Sequence, residues 1–182
     1  MNQILKPIYS DITLIESCNY KCIMCEMYKI PFPKKSELIE LKIWDSFFKD
    51  LHKLAGDGFV FNLPGGEPLL HPHIFEIIKM ASKNNLNPLL STNGSLINKE
   101  IAEKLMTNGL YAVNISLDGS NKEIHDKIRG KKGAYEKVQK AIKLLDFFKK
   151  IYNPHFEIGI QSVIQKANIN NIVDVVLFAE NN

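Results

Sequence analysis

The sequence predicts an α/β fold, a parallel sheet covered by helices and arranged as a partial (β/α) barrel. Three observations carry that expectation. Five apolar or β-branched runs alternate with segments of helical periodicity, and strict alternation of this kind builds a parallel sheet with right-handed crossovers. The runs are mostly continuous rather than alternating, as expected for strands covered on both faces. The length, 182 residues, accommodates five β/α units but falls short of the roughly 250 residues of a closed eight-unit barrel.

The elements follow in order. A first strand is expected over residues 12–16, just after Asp11. Trp44, Phe47, Phe48, Leu51 and Leu54 recur at spacings of three and four, the mark of an amphipathic helix. A second strand falls at residues 59–63, and a helix at 72–84 has His71 and Pro72 placed as its entry. A third strand spans 88–92, after which Asn98 caps a helix that runs through Thr107 and stops at Asn108-Gly109. The fourth strand is expected at 112–116. Ala134, Val138, Ala141, Ile142, Leu145 and Phe148 then form the most regular apolar stripe, a core-facing one. A fifth strand at 156–164 precedes a last helix that starts near Asn170 and runs into Asn181 and Asn182. Residues 30–36, Pro-flanked and basic, read as a surface loop. No Gly/Ser-rich linker interrupts the chain, so one domain is expected.

Composition narrows the class. Hydrophobic residues make up 45% and charged residues 24%, values of a folded domain with a core, which disfavours disorder and coiled coil. Lys plus Arg number 23 against 20 Asp plus Glu, a net charge of +3; that excess is too small to indicate nucleic acid. The lysine pairs 34–35, 131–132 and 149–150 read as solvated faces. No apolar run reaches the roughly 18 to 20 residues of a membrane span. Residues 1–6 lack the basic and long apolar regions of a signal peptide. A cytoplasmic protein is expected.

The three cysteines, Cys18, Cys22 and Cys25, lie within eight positions. An odd, tightly clustered set does not make a disulfide framework, which spreads an even number of thiols to staple distant segments. Three soft thiolates in the loop after a first parallel strand suit an iron–sulfur cluster or zinc. The chain has no fourth cysteine. One metal position is therefore left open, as in catalytic rather than closed structural sites. A zinc site completed by His71 or His73 stays open at this point. Three later segments each follow a strand. Gly65, Gly66 and Glu67 offer close backbone approach and a carboxylate. Ser91, Thr92, Asn93 and Gly94 make a small polar turn. Ser116, Leu117, Asp118 and Gly119 precede Arg129, whose fork of donors matches a carboxylate.

The C-x3-C-x2-C spacing resembles the signature of the radical S-adenosylmethionine (radical SAM) superfamily, with Met24 where many members have an aromatic residue. The three later segments resemble that family's GGEP, TNG and strand-four motifs, in the same order. The stretch from Ser116 to Gly133 is most similar to the branch with peptide-maturing, sulfatase-maturing and cofactor-building members. The resemblance implies a radical SAM core domain over residues 1–182, in which Cys18, Cys22 and Cys25 hold a [4Fe–4S] cluster. S-adenosylmethionine (AdoMet) would chelate the fourth iron and be cleaved reductively to a 5′-deoxyadenosyl radical. Gly65, Gly66 and Glu67 would meet the amino group of its methionine moiety, Thr92 and Asn93 would lie near it, and Ser116 and Arg129 would contact its carboxylate and ribose. Asp118 would face the substrate or cap its loop, and the fifth strand would approach the adenine. A low-potential donor, flavodoxin- or ferredoxin-like, would supply electrons, and the substrate would be a peptide or small metabolite. A non-catalytic cofactor-binding module remains the alternative reading. The family's cores carry six β/α units, so the chain is expected to lack the sixth unit and any C-terminal extension. That would leave its last strand open to a partner or a second copy. His52, His125 and His155 have no partner legible from sequence.

Overall fold

A computed structural model describes residues 6–180. Its sheet has five parallel strands in the order β1-β2-β3-β4-β5: β1 (Ser10–Asp11), β2 (Val60–Leu63), β3 (Asn87–Thr92), β4 (Ala112–Ser116) and β5 (Glu157–Gln161). Six helices connect or follow them: α1 (Leu41–Ala55), α2 (Ile74–Lys83), α3 (Lys99–Thr107), α4 (Lys122–Arg129), α5 (Ala134–Tyr152) and α6 (Ile172–Glu180). Every strand neighbours the next in sequence. The register pairs Leu63 with Leu90, Thr92 with Ile115, and Ser116 with Gln161. The C-terminal ends of the strands therefore lie side by side, and the loops that leave them are neighbours. The alternation of strands and helices thus gives the parallel α/β sheet the sequence predicts, with β1 and β5 at its edges among the described residues.

The core is the contact surface between sheet and helices. Phe61, Leu63, Leu90, Val113 and Ile115 from the strands pack on Phe48, Ile77, Ile78, Leu105 and Leu145 from the helices, all fully buried. The α5 stripe faces inward at all six positions named from periodicity. Along α1 only Trp44 and Phe48 are buried. Phe47 and Leu54 lie on its exposed side, because a five-residue pattern spanning more than half the helix circumference cannot all reach one sheet.

Local chemistry fixes most element ends. The Asn98 side chain accepts from Ile101 N at 2.9 Å, and Gly109, at φ 84°, turns the chain away from α3. Helix α4 is not anticipated by the sequence reading, although its caps are present. Asn121 accepts from Ile124 N at 3.0 Å, and Gly130 closes it in the left-handed region at φ 60°. Helix α5 begins at Gly133, which has no capping side chain. The Asp126 carboxylate on α4 serves instead, accepting from Gly133 N at 2.6 Å and Tyr135 N at 2.9 Å.

The first strand and the start of the second helix differ from expectation. The first strand is two residues long and precedes residues 12–16. Pro64 and Gly65 interrupt β2, so residues 15–17 pair instead with the turn beyond it: Ile15 O and Ser17 O accept from Gly66 N and Glu67 N, both at 3.0 Å. Pro72 lies outside α2, which starts at Ile74 after a 3-10 turn over Pro68–Leu70. The expected end of the last helix at Asn181 and Asn182 falls outside the described residues, as do residues 1–5. Among the described residues no helix is long and apolar enough to cross a membrane.

Candidate functional site

The loops at the C-terminal ends of the strands enclose a cavity of about 410 Å³. Cys18, Cys22 and Cys25 all line it. So do Gly65 and Gly66 after β2, Thr92 and Asn93 at the end of β3, and Ser116 at the end of β4. Arg129 enters from the last turn of α4. Gln161 and Val163, at and beyond the end of β5, complete the rim. Neither is distinctive as a residue type; position at a strand end is the one signal that marks them.

The cysteine loop is held against three other loops by backbone contact. Gly66 packs so closely on it that a β-carbon there would lie 2.0 Å from the Ser17 carbonyl oxygen. On the opposite side, Ile23 N donates to Ile128 O at 2.9 Å, and a β-carbon on Gly130 would lie 2.1 Å from the Lys21 carbonyl oxygen. The third support is polar. Asn93 Nδ2 donates to Asn19 Oδ1 at 2.9 Å and lies 3.9 Å from Cys18 Sγ. Arg129 Nη1 lies 3.9 Å from Cys22 Sγ. Burial pushes the Cys18 and Cys22 thiols up, and the Arg129 charge pulls Cys22 back toward the thiolate.

Two carboxylates expected at the cofactor sit one layer behind the cavity wall. Glu67 is fully buried. Its Oε1 accepts from Thr92 Oγ1 at 2.7 Å and Leu69 N at 3.1 Å, and its Oε2 accepts from Asn93 N at 2.8 Å. Burial raises the pKa of its carboxyl, opposed chiefly by these hydrogen bonds. Glu67 thereby ties the turn after β2 to the Thr92-Asn93 turn. Asp118 is likewise fully buried. Its Oδ2 lies 2.7 Å from Arg129 Nε, a charge contact rather than an aligned hydrogen bond, and its Oδ1 accepts from Val163 N at 2.9 Å. Asp118 therefore caps the loop after β5 and holds Arg129.

The histidines stand apart. His71 is buried beside a second cavity, lined by Ile15, Trp44 and Leu38 among others, and its Nδ1 accepts from His73 N at 3.2 Å. No histidine lines the thiol cavity. Among the described residues no group of three or more His, Cys, Asp and Glu is placed to hold a metal ion, so the Cys3His arrangement is not assembled. His125 is buried against the site network, accepting from Asp118 N at 3.1 Å. Burial pulls both His71 and His125 down to about 4 from the usual 6.5. Both are neutral in the folded chain at pH values where the unfolded chain already binds a proton. Stability is then full above about pH 6.5 and is lost as pH falls toward 4. Urea unfolding followed by circular dichroism at pH 7.5 and 5 should show a lower midpoint at pH 5. Substitution of His125 by Gln should flatten that dependence.

The family model of the radical SAM superfamily matches residues 12–163. The chain belongs to the radical SAM superfamily. It is 32% identical over 160 residues to an AdoMet-dependent heme synthase of Methanosarcina barkeri, covering 87% of this chain and 43% of that protein. It is 30% identical over 191 aligned positions to a cysteine-type anaerobic sulfatase-maturating enzyme of Clostridium novyi, covering 98% of this chain and 47% of that protein. Among solved structures, native anSMEcpe with bound AdoMet and Cp18Cys peptide superimposes with a TM-score of 0.74 at 26% identity, covering 96% of this chain and 49% of that one. The chain thus spans less than half the length of these relatives. Their names match the sulfatase-maturing and cofactor-building branch indicated by the motifs.

Proposed function

We propose that this chain forms the core of a radical SAM enzyme, in which Cys18, Cys22 and Cys25 hold a [4Fe–4S] cluster and AdoMet occupies the remaining iron. The observation that carries this reading is the convergence of all three thiols on one cavity with the glycine turn, the Thr92-Asn93 turn and Arg129. The donor set fits the group. Three soft thiolates around a cavity suit a cluster in which each binds its own iron, and with no fourth cysteine in the sequence one iron is left for a small ligand. When bound and reduced, the group held by Cys18, Cys22 and Cys25 would supply the one electron needed for reductive cleavage of AdoMet and hence for hydrogen abstraction from the substrate.

The chain's own residues bind and orient. Gly65 and Gly66 present backbone to the cavity with no side chain in the way. Thr92, Asn93 and Ser116 supply polar groups to the amino acid and ribose parts of AdoMet. The Arg129 fork faces its carboxylate. Glu67 and Asp118 act as positioning residues, the first for the Thr92-Asn93 turn and the second for Arg129. A peptide or small metabolite is the substrate class, a low-potential carrier protein is the electron source, and a reducing cytoplasm keeps the three thiols free.

Anaerobic reconstitution with iron and sulfide should give iron–sulfur absorbance and, with reductant, 5′-deoxyadenosine. Cys22→Ala should lose both. Arg129→Lys keeps a charge against Asp118 but loses the fork. It should retain the cluster while weakening AdoMet binding about tenfold, the effect of about 1.4 kcal/mol. Purified protein that holds zinc and takes up no iron would overturn the reading. A cluster that forms without releasing 5′-deoxyadenosine would leave a binding module.

A further inference from the structure

The sequence reading treats Lys131 and Lys132 as a solvated face, yet the fold brings them to the cysteine loop. Gly130 packs directly on the Lys21 backbone, so Lys131 and Lys132 emerge beside Lys21, which sits between Cys18 and Cys22. Lys127 lies one turn earlier on α4, next to the Ile128 carbonyl that accepts from Ile23. All four lysines are exposed, and none forms an ion pair among the described residues.

Nearby carboxylates do not cancel this charge. Glu26 pairs with Lys29. Asp126 is turned inward to the start of α5, and Glu123 faces Lys122. Glu136, beside Gly133, and Glu16, two residues before Cys18, are further exposed acids. Beside these lysines stand two exposed apolar side chains, Ile23 at 57% and Tyr28 at 37%, the first bonded through its N to Ile128 O and the second under Lys21. The Lys21 ammonium lies 6.0 Å from the Tyr28 ring centroid, as does that of Lys29, which Glu26 pairs. An apolar centre within an unpaired basic rim is the pattern of a protein docking surface, where charge steers encounter and a buried apolar contact fixes register.

We propose that Lys21, Lys127, Lys131 and Lys132, around Ile23, form the docking surface for an acidic electron-carrier protein that reduces the cluster. The proposal rests on the reading of Cys18, Cys22 and Cys25 as cluster ligands. Ile23 lies between two of those cysteines, so a carrier seated on it contacts the loop that holds the metal site. In the transfer, a flavodoxin-type carrier gives up one electron, passing from hydroquinone to semiquinone, and the cluster passes from 2+ to 1+. No bond to the protein forms or breaks. A compact acidic protein fits better than nucleic acid, because the patch is small, has an apolar centre and belongs to a chain of net charge only +3.

The test is the rate of cluster reduction, followed by absorbance under anaerobic stopped flow, with two reductants. One is flavodoxin hydroquinone and the other photoreduced 5-deazaflavin, a small molecule that needs no docking. The triple variant K127E/K131E/K132E should slow reduction by flavodoxin at least tenfold at low ionic strength and leave reduction by deazaflavin unchanged. Added salt should slow the wild type with flavodoxin and have little effect on the variant. Equal flavodoxin rates in variant and wild type would overturn the proposal, as would an equal loss with both reductants. A wild type that assembles no cluster and so is reduced by neither would instead sink the cluster reading itself.

Discussion

Replacing Asp118 with alanine is expected to destabilise the fold by about 3–5 kcal/mol, the usual cost of removing one partner from a buried ion pair. The Asp118 side chain is fully buried and that of Arg129 only 10% exposed, so water cannot take over the lost interaction. The same change frees Val163 N, which Asp118 Oδ1 now accepts at 2.9 Å. Urea unfolding should show a large fall in midpoint at unchanged slope. Asp118→Asn keeps the shape and an acceptor for Val163, and should cost less. Its defect should be in AdoMet binding, because Arg129 loses its counter-charge while the cluster ligands stay intact. A midpoint for Asp118→Ala no lower than that of a surface control such as Glu100→Ala would mean that Asp118 does not hold Arg129 in this way.

Gly130→Ala is expected to act on the metal site from a distance in sequence. Two costs arise together. Alanine in the left-handed region at φ 60° is strained by about 1–2 kcal/mol. Its β-carbon would also sit 2.1 Å from the Lys21 carbonyl oxygen, a backbone atom that no rotamer change can move. The cysteine loop must shift, and iron bound per chain after reconstitution should fall by half or more while most secondary structure remains. Gly56→Ala separates the two costs. Gly56 also has positive φ, 93°, but nothing lies within 4 Å of a β-carbon there. It should lose stability by strain alone and bind iron as the wild type does. Equal iron content in the two variants would show that contact between Gly130 and Lys21 does not set the loop.

The difference between these two glycines also shows what sequence can and cannot express. Alternating elements, the α5 stripe, the Asn98 cap and the cysteine spacing are local patterns, and the helices and strands they mark are present except the strand expected at residues 12–16. The strand-end rule correctly brought four motif segments to one cavity. What stayed hidden is what depends on packing between distant segments. Gly56 and Gly130 look alike in the chain, and only the second has a neighbouring loop against it. By motif Glu67 reads as a ligand-facing carboxylate, and Asp118 as one that faces the substrate or caps its loop. Their burial behind the wall follows from donors at Thr92, Asn93 and Arg129, which no spacing rule connects to them. Helix α4 was masked because its apolar positions are few, Ile124 and Ile128. Its caps, Asn121 and Gly130, were the signal to read. The short β1 followed from Pro64-Gly65 breaking its partner strand, a tertiary effect that the apolar run at residues 12–16 conceals.

The bond between Ile23 and Ile128, and the approach of Arg129 to Cys22, join positions more than a hundred residues apart; Arg129 and Cys22 are separated by 107. During synthesis the cysteines leave the ribosome with the first β/α unit, while the last of the segments that brace them, α4, arrives with the fourth. At about 5–20 residues per second, the nascent chain carries three incompletely braced thiols for roughly 5 to 20 s. On the proposed cluster reading, a loop fully braced for metal would form late in the life of the nascent chain, and the interval before it would be when oxidation or a competing metal meets the least resistance.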